Sequence, residues 1–153
     1  MDDSRILVRR LEKRDIPSIS AIEAAAFSMP WSAEDFEKLL ERDYCVYYVA
    51  EYDGIVVGSC GMTISFGEGS IDNVVVDENY RGKGIAHEMI RTLLKEGDAQ
   101  GIEAYTLEVR VSNQAAIAVY TDEGFVSEGI RPRFYEKPVE DAMIMWRRKN
   151  QEA

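Results

Sequence analysis

The sequence predicts an α/β fold with its elements in the order β-α-α-β-β-β-α-β-α-β-β. Three observations carry this expectation. Segments with apolar residues at helical spacing alternate with β-branched and aromatic runs. The pair Asp53-Gly54, a favoured turn, splits one long β-branched stretch into a hairpin. A glycine-rich turn, Arg81-Gly82-Lys83-Gly84, joins a strand to a helix. No internal repeat, low-complexity run or long linker interrupts the chain, so residues 1–153 are expected to form a single domain.

Arg5–Leu11 (RILVRRL) reads as the first strand. The next segment opens at Asp15, a natural N-cap, with Pro17 in the first turn and Ile19, Ile22 and Ala26 at helical spacing. Ser32 and Asp35 make a capping-box pattern that restarts a helix, with Phe36, Leu39 and Leu40 on one face. Two strands follow around Asp53-Gly54, and GSIDNVVVD is another. IAHEMIRTLLKEGDAQG is a helix with Ile85, Met89 and Leu93 along one stripe and Ile90 and Leu94 beside it. IEAYTLEVR is a strand, and NQAAIAVYTDEG a short helix capped by Asn113 and ended by Gly124. FVSEGIRPRFYE and EDAMIMWRR close the fold as strands, and residues from about 147 to 153 are expected to form a polar, frayed tail.

The chain is 46% hydrophobic and 30% charged, enough for a core without disulfide or metal staples. No apolar run approaches the ~20 residues needed to span a bilayer, so no membrane partner is expected. The first residues carry acids and no stretch of signal-peptide character, so nothing marks the chain for export. Cys45 and Cys60 make no CxxC pair and His87 is the one histidine, so no metal site is expected. A reducing, cytoplasmic compartment is the default. With 18 basic and 28 acidic side chains the net charge is −10, which disfavours direct nucleic-acid binding. Such a surface attracts a basic protein or peptide, or it serves solubility alone.

A helix start exposes unpaired N–H groups and about half a positive charge. Gly82 and Gly84 let the backbone approach a ligand, and Arg81 and Lys83 add charge. The turn therefore reads either as a phosphate site or as a plain strand-to-helix connection. It is not a Walker loop, because no Gly-Lys-Ser/Thr follows a four-residue gap. It is not a dinucleotide fingerprint either, since His87 stands where the third glycine belongs.

Arg81-Gly82-Lys83-Gly84-Ile85-Ala86 resembles the Gln/Arg-x-x-Gly-x-Gly/Ala signature of the GCN5-related N-acetyltransferase (GNAT) family. IEAAAFSMPWSAEDF, LEVRVSNQAAIAVYTDEGF and RPRFYEKPVEDAMIM look like its ribosomal-protein alanine N-acetyltransferase branch, the RimI type. The resemblance implies the GNAT fold, a mixed, mostly antiparallel central sheet flanked by helices, with acetyl-CoA as co-substrate and no metal. It implies that Arg81, Gly82, Lys83, Gly84, Ile85 and Ala86 grip the pyrophosphate of acetyl-CoA. By the same resemblance the backbone of Val74, Val75 and Val76 pairs with the pantetheine and polarises the thioester carbonyl. Asn113 gains a contact to coenzyme A beyond its cap. Glu108 matches the general base and Tyr120 the general acid, while Trp31 and Tyr135 fall beside the acceptor groove. The implied acceptor is a protein N-terminal amine, the alanine terminus of a small-subunit ribosomal protein.

The residues themselves leave alternatives open. Glu108 lies in the apolar strand TLEVRV, where partial burial would tune it toward a base at neutral pH. A mid-strand glutamate equally faces solvent or pairs with a cation such as Arg110. Tyr120 reads as a proton donor or as a core aromatic, and Trp31 as a groove residue or an anchor of the helix junction. His87 is expected to be exposed rather than catalytic, and Glu140 and Asp141 are candidates for favouring a basic peptide. Freeing a lysine amine at pH 7 costs roughly 4.6 kcal/mol and a chain terminus about 1–1.4 kcal/mol, which permits a terminal acceptor. Direct transfer without an acyl-enzyme is expected, because neither cysteine matches a nucleophile position of the family. Another protein terminus, a lysine or a small amine remains an alternative acceptor, and a non-catalytic acyl-CoA-binding module an alternative class.

Overall fold

The computed structural model describes residues 5–149, and its elements follow the predicted order. They are β1 (Ile6–Arg10), α1 (Ile16–Ala26), α2 (Ala33–Leu39), β2 (Cys45–Tyr52), β3 (Ile55–Ser65) and β4 (Glu68–Val76). After them come α3 (Ile85–Ala99), β5 (Ala104–Arg110), α4 (Gln114–Asp122), β6 (Val126–Glu136) and β7 (Val139–Arg148). Short 3-10 turns at Lys13–Asp15 and Glu78–Tyr80 lead toward α1 and α3. A seven-stranded sheet runs β1-β2-β3-β4-β5-β7-β6, antiparallel throughout except between β4 and β5.

Local chemistry accounts for most boundaries. Asp53 (φ 52°) and Gly54 (φ 86°) both take the left-handed conformation that a two-residue hairpin turn demands. At α2, the Asp35 N–H donates to Ser32 Oγ at 3.1 Å and the Ser32 N–H donates to the Asp35 carboxylate at 2.9 Å. At α4, the Ala116 N–H donates to Asn113 Oδ1 at 3.2 Å.

Asp15 departs from expectation. It occupies the N-cap position of α1 without capping it, because its own backbone is already helical (φ −85°, ψ −15°). Its carboxylate instead accepts from the Arg9 guanidinium at 2.8 and 2.9 Å and from the Glu12 N–H at 2.8 Å, closing the 3-10 turn. Those hydrogen bonds, Arg9 first, hold its carboxyl below the usual range. Arg147 and Arg148, where the expected strand EDAMIMWRR overlaps the tail expected from about 147, are the last residues of β7, opposite Tyr105 and Ala104. The Arg147 Nε donates to the Glu123 carbonyl at 3.0 Å, which fixes the strand end. The rest of that expected tail, 150–153, lies outside the described residues.

Strand alternation sorts the apolar residues into two cores, one on each face of the sheet. Tyr47 and Val49 join Ile16, Ile19, Phe36 and Leu39 under α1 and α2. Val46, Tyr48 and Ala50 join Ile85, Met89, Ile90, Leu93 and Leu94 of α3, so the expected stripe of that helix is the buried one. On α1 the stripe is displaced: Ile16, Ile19 and Glu23 are buried, Ile22 is half-buried and Ala26 is exposed. No helix of the described residues is long and apolar enough to cross a membrane.

The feature that positions the site is a split in the sheet. β4 pairs with β5 only from Glu68↔Ala104 to Ser70↔Thr106. Beyond that point β4 stays with β3 and β5 with β7, so the two strands part. The register between β3 and β4 shifts at the same place, setting Asn73 and Val74 opposite Cys60 in a bulge, with Asn73 at φ 53°.

Phe36 is fully buried, its ring 5.4 Å from Trp31 and 5.5 Å from Tyr47. Phe36→Ala is expected to lower the unfolding free energy by about 3–5 kcal/mol in urea titrations. A loss below about 1 kcal/mol would contradict this packing.

Candidate active site

A cleft of about 610 Å³ runs from the diverging edge of β4 to the head of α3. Its walls are Val74, Val75 and Val76, the turn with Arg81, Gly82 and Gly84, the first residues of α3, and the α4 side with Asn113, Ala116, Val119 and Tyr120. Ala26 and Phe27 at the end of α1 close one side.

Gly82 (φ 81°) and Gly84 (φ 83°) are left-handed, a conformation costing an L side chain about 1–2 kcal/mol, so the turn requires glycine. Gly84 is the N-cap of α3 and supplies no side-chain cap. The first N–H groups of the helix are therefore free to receive an anion, and no atom lies within 4 Å of a Cβ built on either glycine. The turn thus fits a phosphate group. Arg81, Ile85 and Ala86 line the cleft. Lys83 does not; its ammonium rests 5.3 Å from the Tyr52 ring centre. His87, expected to be exposed, is half-buried at the cleft with Nδ1 2.9 Å from a Glu123 oxygen.

Tyr120 is buried at the end of the cleft, and burial pushes its phenol pKa well up, so the hydroxyl keeps its proton at neutral pH. Glu108 sits between Leu107 and Val109, which face α3, so its carboxylate projects from the opposite face of the sheet. Base and acid candidates therefore stand on different faces and can meet only through the gap between β4 and β5. Glu108 is about one-third exposed, not sequestered, and one oxygen lies 3.9 Å from Arg131 Nη1. Arg110, the cation expected as its competitor, pairs with Glu140 at 3.1 Å and stacks 4.3 Å over the Tyr135 ring.

Tyr135 is half-buried, and its phenol is raised by burial first and then by the charge of Glu108. Tyr135 lies within electrostatic reach of both Glu108 and Tyr120. Trp31 does not line the cleft; it packs on Phe36 and Tyr47, 6.3 Å from the latter, as an anchor of the α1–α2 junction. Glu140 accepts the Ser112 N–H at 2.8 Å and Asp141 accepts the Arg133 N–H at 3.0 Å, so both serve the local loops.

Two carboxylates went unnoticed in the sequence. Glu23 is 1% exposed; one oxygen accepts the Trp31 N–H at 3.1 Å and the Asn73 side-chain amide at 2.8 Å, while the other has no partner. Burial lifts its carboxyl to about 7. Asp72 is open to solvent yet crowded by protein, as on the floor of a groove, and burial and then the charge of Glu108 lift it to about 6. A spacing signal existed for Glu23, which continues the Ile16, Ile19 stripe of α1.

The sequence profile described as "Acetyltransferase (GNAT) family" matches residues 16–125. The chain belongs to the GNAT acetyltransferase family. An Escherichia coli relative named "[Ribosomal protein bS18]-alanine N-acetyltransferase" is 31% identical over 140 residues, 90% of this chain and 94% of that one. A Bacillus subtilis relative, provisionally named as the same enzyme, is 37% identical over 147 residues, 94% and 95% of the two chains. The crystal structure of the E. coli ribosomal-protein-S18-alanine N-acetyltransferase superposes with a TM-score of 0.84 at 29% identity, covering 94% of this chain and 93% of that one. The mixed, seven-stranded GNAT sheet and the RimI-type kinship expected from the sequence are both borne out.

Glu23 keeps its proton to about pH 7 in the folded protein but only to about 4.5 when unfolded. Its contribution to stability is therefore full below the unfolded value and declines as pH rises toward 7. Glu23→Gln is expected to remove that decline. In urea titrations at about pH 5 and about pH 8, the variant should lose less stability than wild type; equal losses would contradict the assignment.

Proposed function

We propose that this GNAT enzyme moves acetyl from acetyl-CoA directly to a protein N-terminal amine, the alanine terminus of a bS18-type small-subunit ribosomal protein. The carrying observation is the gap between β4 and β5, which opens the α3–α4 side of the sheet onto the face that holds Glu108. Acetyl-CoA supplies the activated carbonyl and a thiolate leaving group. The bare start of α3, with Arg81, Gly82, Gly84, Ile85 and Ala86, receives the pyrophosphate, and Lys83 adds charge from the rim. The backbone of Val74, Val75 and Val76 pairs with the pantetheine and presents an N–H to the developing oxyanion. Asn113, at the head of α4, adds a contact on the cleft wall.

Glu108 accepts the proton of the attacking amine, and Tyr120 donates one to the departing sulfur. Tyr135 borders the acceptor, while Trp31 holds the α1–α2 junction beside it. Cys60 is fully buried and its thiol is pushed far up by that burial, which supports direct attack rather than an acyl-enzyme. The names of the relatives support the acceptor. The net charge of −10 supports a basic protein partner, encountered in the cytoplasm.

Mass spectrometry of an alanine-terminated bS18-type peptide incubated with enzyme and acetyl-CoA is expected to show one acetyl on the α-amine. Comparable rates on an N-terminally blocked lysine peptide would overturn the acceptor assignment. Glu108→Gln and Tyr120→Phe are each expected to lower kcat by about 10²–10⁴-fold with the KM for acetyl-CoA unchanged. Wild-type kcat in either would remove that residue from the mechanism.

A further inference from the structure

One lateral row crosses the sheet on the face of α1 and α2. Tyr47 on β2 opposes Gly61 on β3, which opposes Asp72 on β4. Asp72 and Glu108 each lie two residues beyond the last β4–β5 pair, Ser70↔Thr106, so they face one another across the start of the gap. Gly61 makes the row possible: the point where its Cβ would stand lies 2.5 Å from ring carbons of Tyr47 and 3.2 Å from Asp72 Oδ1. The Tyr47 ring therefore lies over the glycine, beside the Asp72 carboxylate.

This row is not ordinary core. The Tyr47 hydroxyl, on a side chain only 5% exposed, has the buried Ser59 hydroxyl as its neighbour, while the free oxygen of Glu23 has no partner among the described residues. No cation offsets Asp72 among the groups that shift it; its one charged influence is Glu108. A buried oxygen left unpaired near a carboxylate that no cation offsets makes a favourable place for a polar, cationic ligand.

The stoichiometry of the transfer supplies that ligand. An acceptor that arrives as R–NH3+ must shed two protons to become an amide nitrogen bearing one hydrogen. A single carboxylate takes only one before it must be emptied. We propose that Asp72 seats the acceptor's ammonium in the gap and takes the first of these protons, leaving the second to Glu108. The inference rests on the direct-transfer reading above and adds to it.

The steps balance. The ammonium gives a proton to the Asp72 carboxylate and becomes a neutral amine. Its lone pair forms the C–N bond at the thioester carbonyl, and Glu108 takes the second proton from the nitrogen. The C–S bond breaks, its electron pair goes to sulfur, and sulfur takes the Tyr120 proton. One carboxylate then reprotonates Tyr120 and the other releases its proton to solvent, the net proton of the reaction. Asp72 is matched to its step: its carboxyl, near 6, lies below the ~7.7–8.0 of a terminal amine by far less than below the ~10.4 of lysine. The titratable groups around it are Glu23 from α1, Tyr47 from β2 and Cys60 from β3, each raised in part by its charge, and Glu108 from β5, the one whose charge raises Asp72 itself, with Arg131 of β6 3.9 Å from Glu108.

The test compares wild type, Asp72→Asn and Asp72→Glu. Each is assayed across pH on whichever amine wild type acetylates fastest among an alanine-terminated peptide, a blocked lysine peptide and spermidine. Asp72→Asn is expected to lower kcat/KM for the amine about 10²-fold. It should also remove the ionisation near pH 6 from the acid limb, with the acetyl-CoA KM and melting temperature unchanged and activity partly restored in Asp72→Glu. A wild-type acid limb and kcat/KM in Asp72→Asn would overturn the proposal. So would a loss that Asp72→Glu fails to restore, or one that raises the acetyl-CoA KM in step. A wild-type preference for lysine or spermidine would instead overturn the terminal-alanine reading, with Asp72 still judged on the preferred amine.

Discussion

The parting of β4 from β5 is the constraint on which the rest of the structure depends. A continuous sheet would separate the face under α1 and α2 from the face under α3 and α4 with a layer of paired backbone. Here parallel pairing stops at Ser70 and Thr106, and the Asn73–Val74 bulge turns β4 aside. Among the described residues, the edge of β4 toward β5 is then left without a strand partner. Unpaired backbone donors and acceptors require some partner, and an extended amide-bearing ligand is well suited to supply one. Glu23 ties the bulge in place: its carboxyl group holds the Asn73 side chain and the Trp31 backbone together, linking the α1–α2 junction to the diverging strand.

Much of this was legible in the sequence because it is encoded locally. The Asp53-Gly54 turn, the Ser32/Asp35 box, the Asn113 cap and the glycines before α3 each act over a few residues, and each stands where the pattern put it. The apolar stripe of α3 is equally local. The misreadings have tertiary causes. Asp15 has the chemistry of a cap, but Arg9 on β1 claims its carboxylate. Arg147 and Arg148 suit a strand end and a polar tail alike, and pairing with β5 makes them strand.

The site divides in the same way. The glycine turn and Tyr120 at the cleft were visible from motif and family resemblance, whereas the setting of Glu108 was not. Glu108 is partly open, and on the same face burial lifts the carboxyl of Glu23, while crowding by protein and the charge of Glu108 lift that of Asp72. Only the lateral register of β2, β3, β4 and β5 brings Tyr47, Gly61, Asp72 and Glu108 into one row, and no single segment of sequence contains that row. Trp31, half-buried, packs on Phe36 and Tyr47, a contact between α2 and β2 that its own segment does not contain.

The most direct measurement is hydrogen exchange of the 72–76 segment of β4 with and without acetyl-CoA. If the free edge of β4 receives the acyl donor, exchange across 72–76 should slow markedly on binding. The β2 segment 48–50, already paired on both sides, should be unchanged. Saturation with acetyl-CoA that leaves 72–76 exchanging as fast as before would contradict the account.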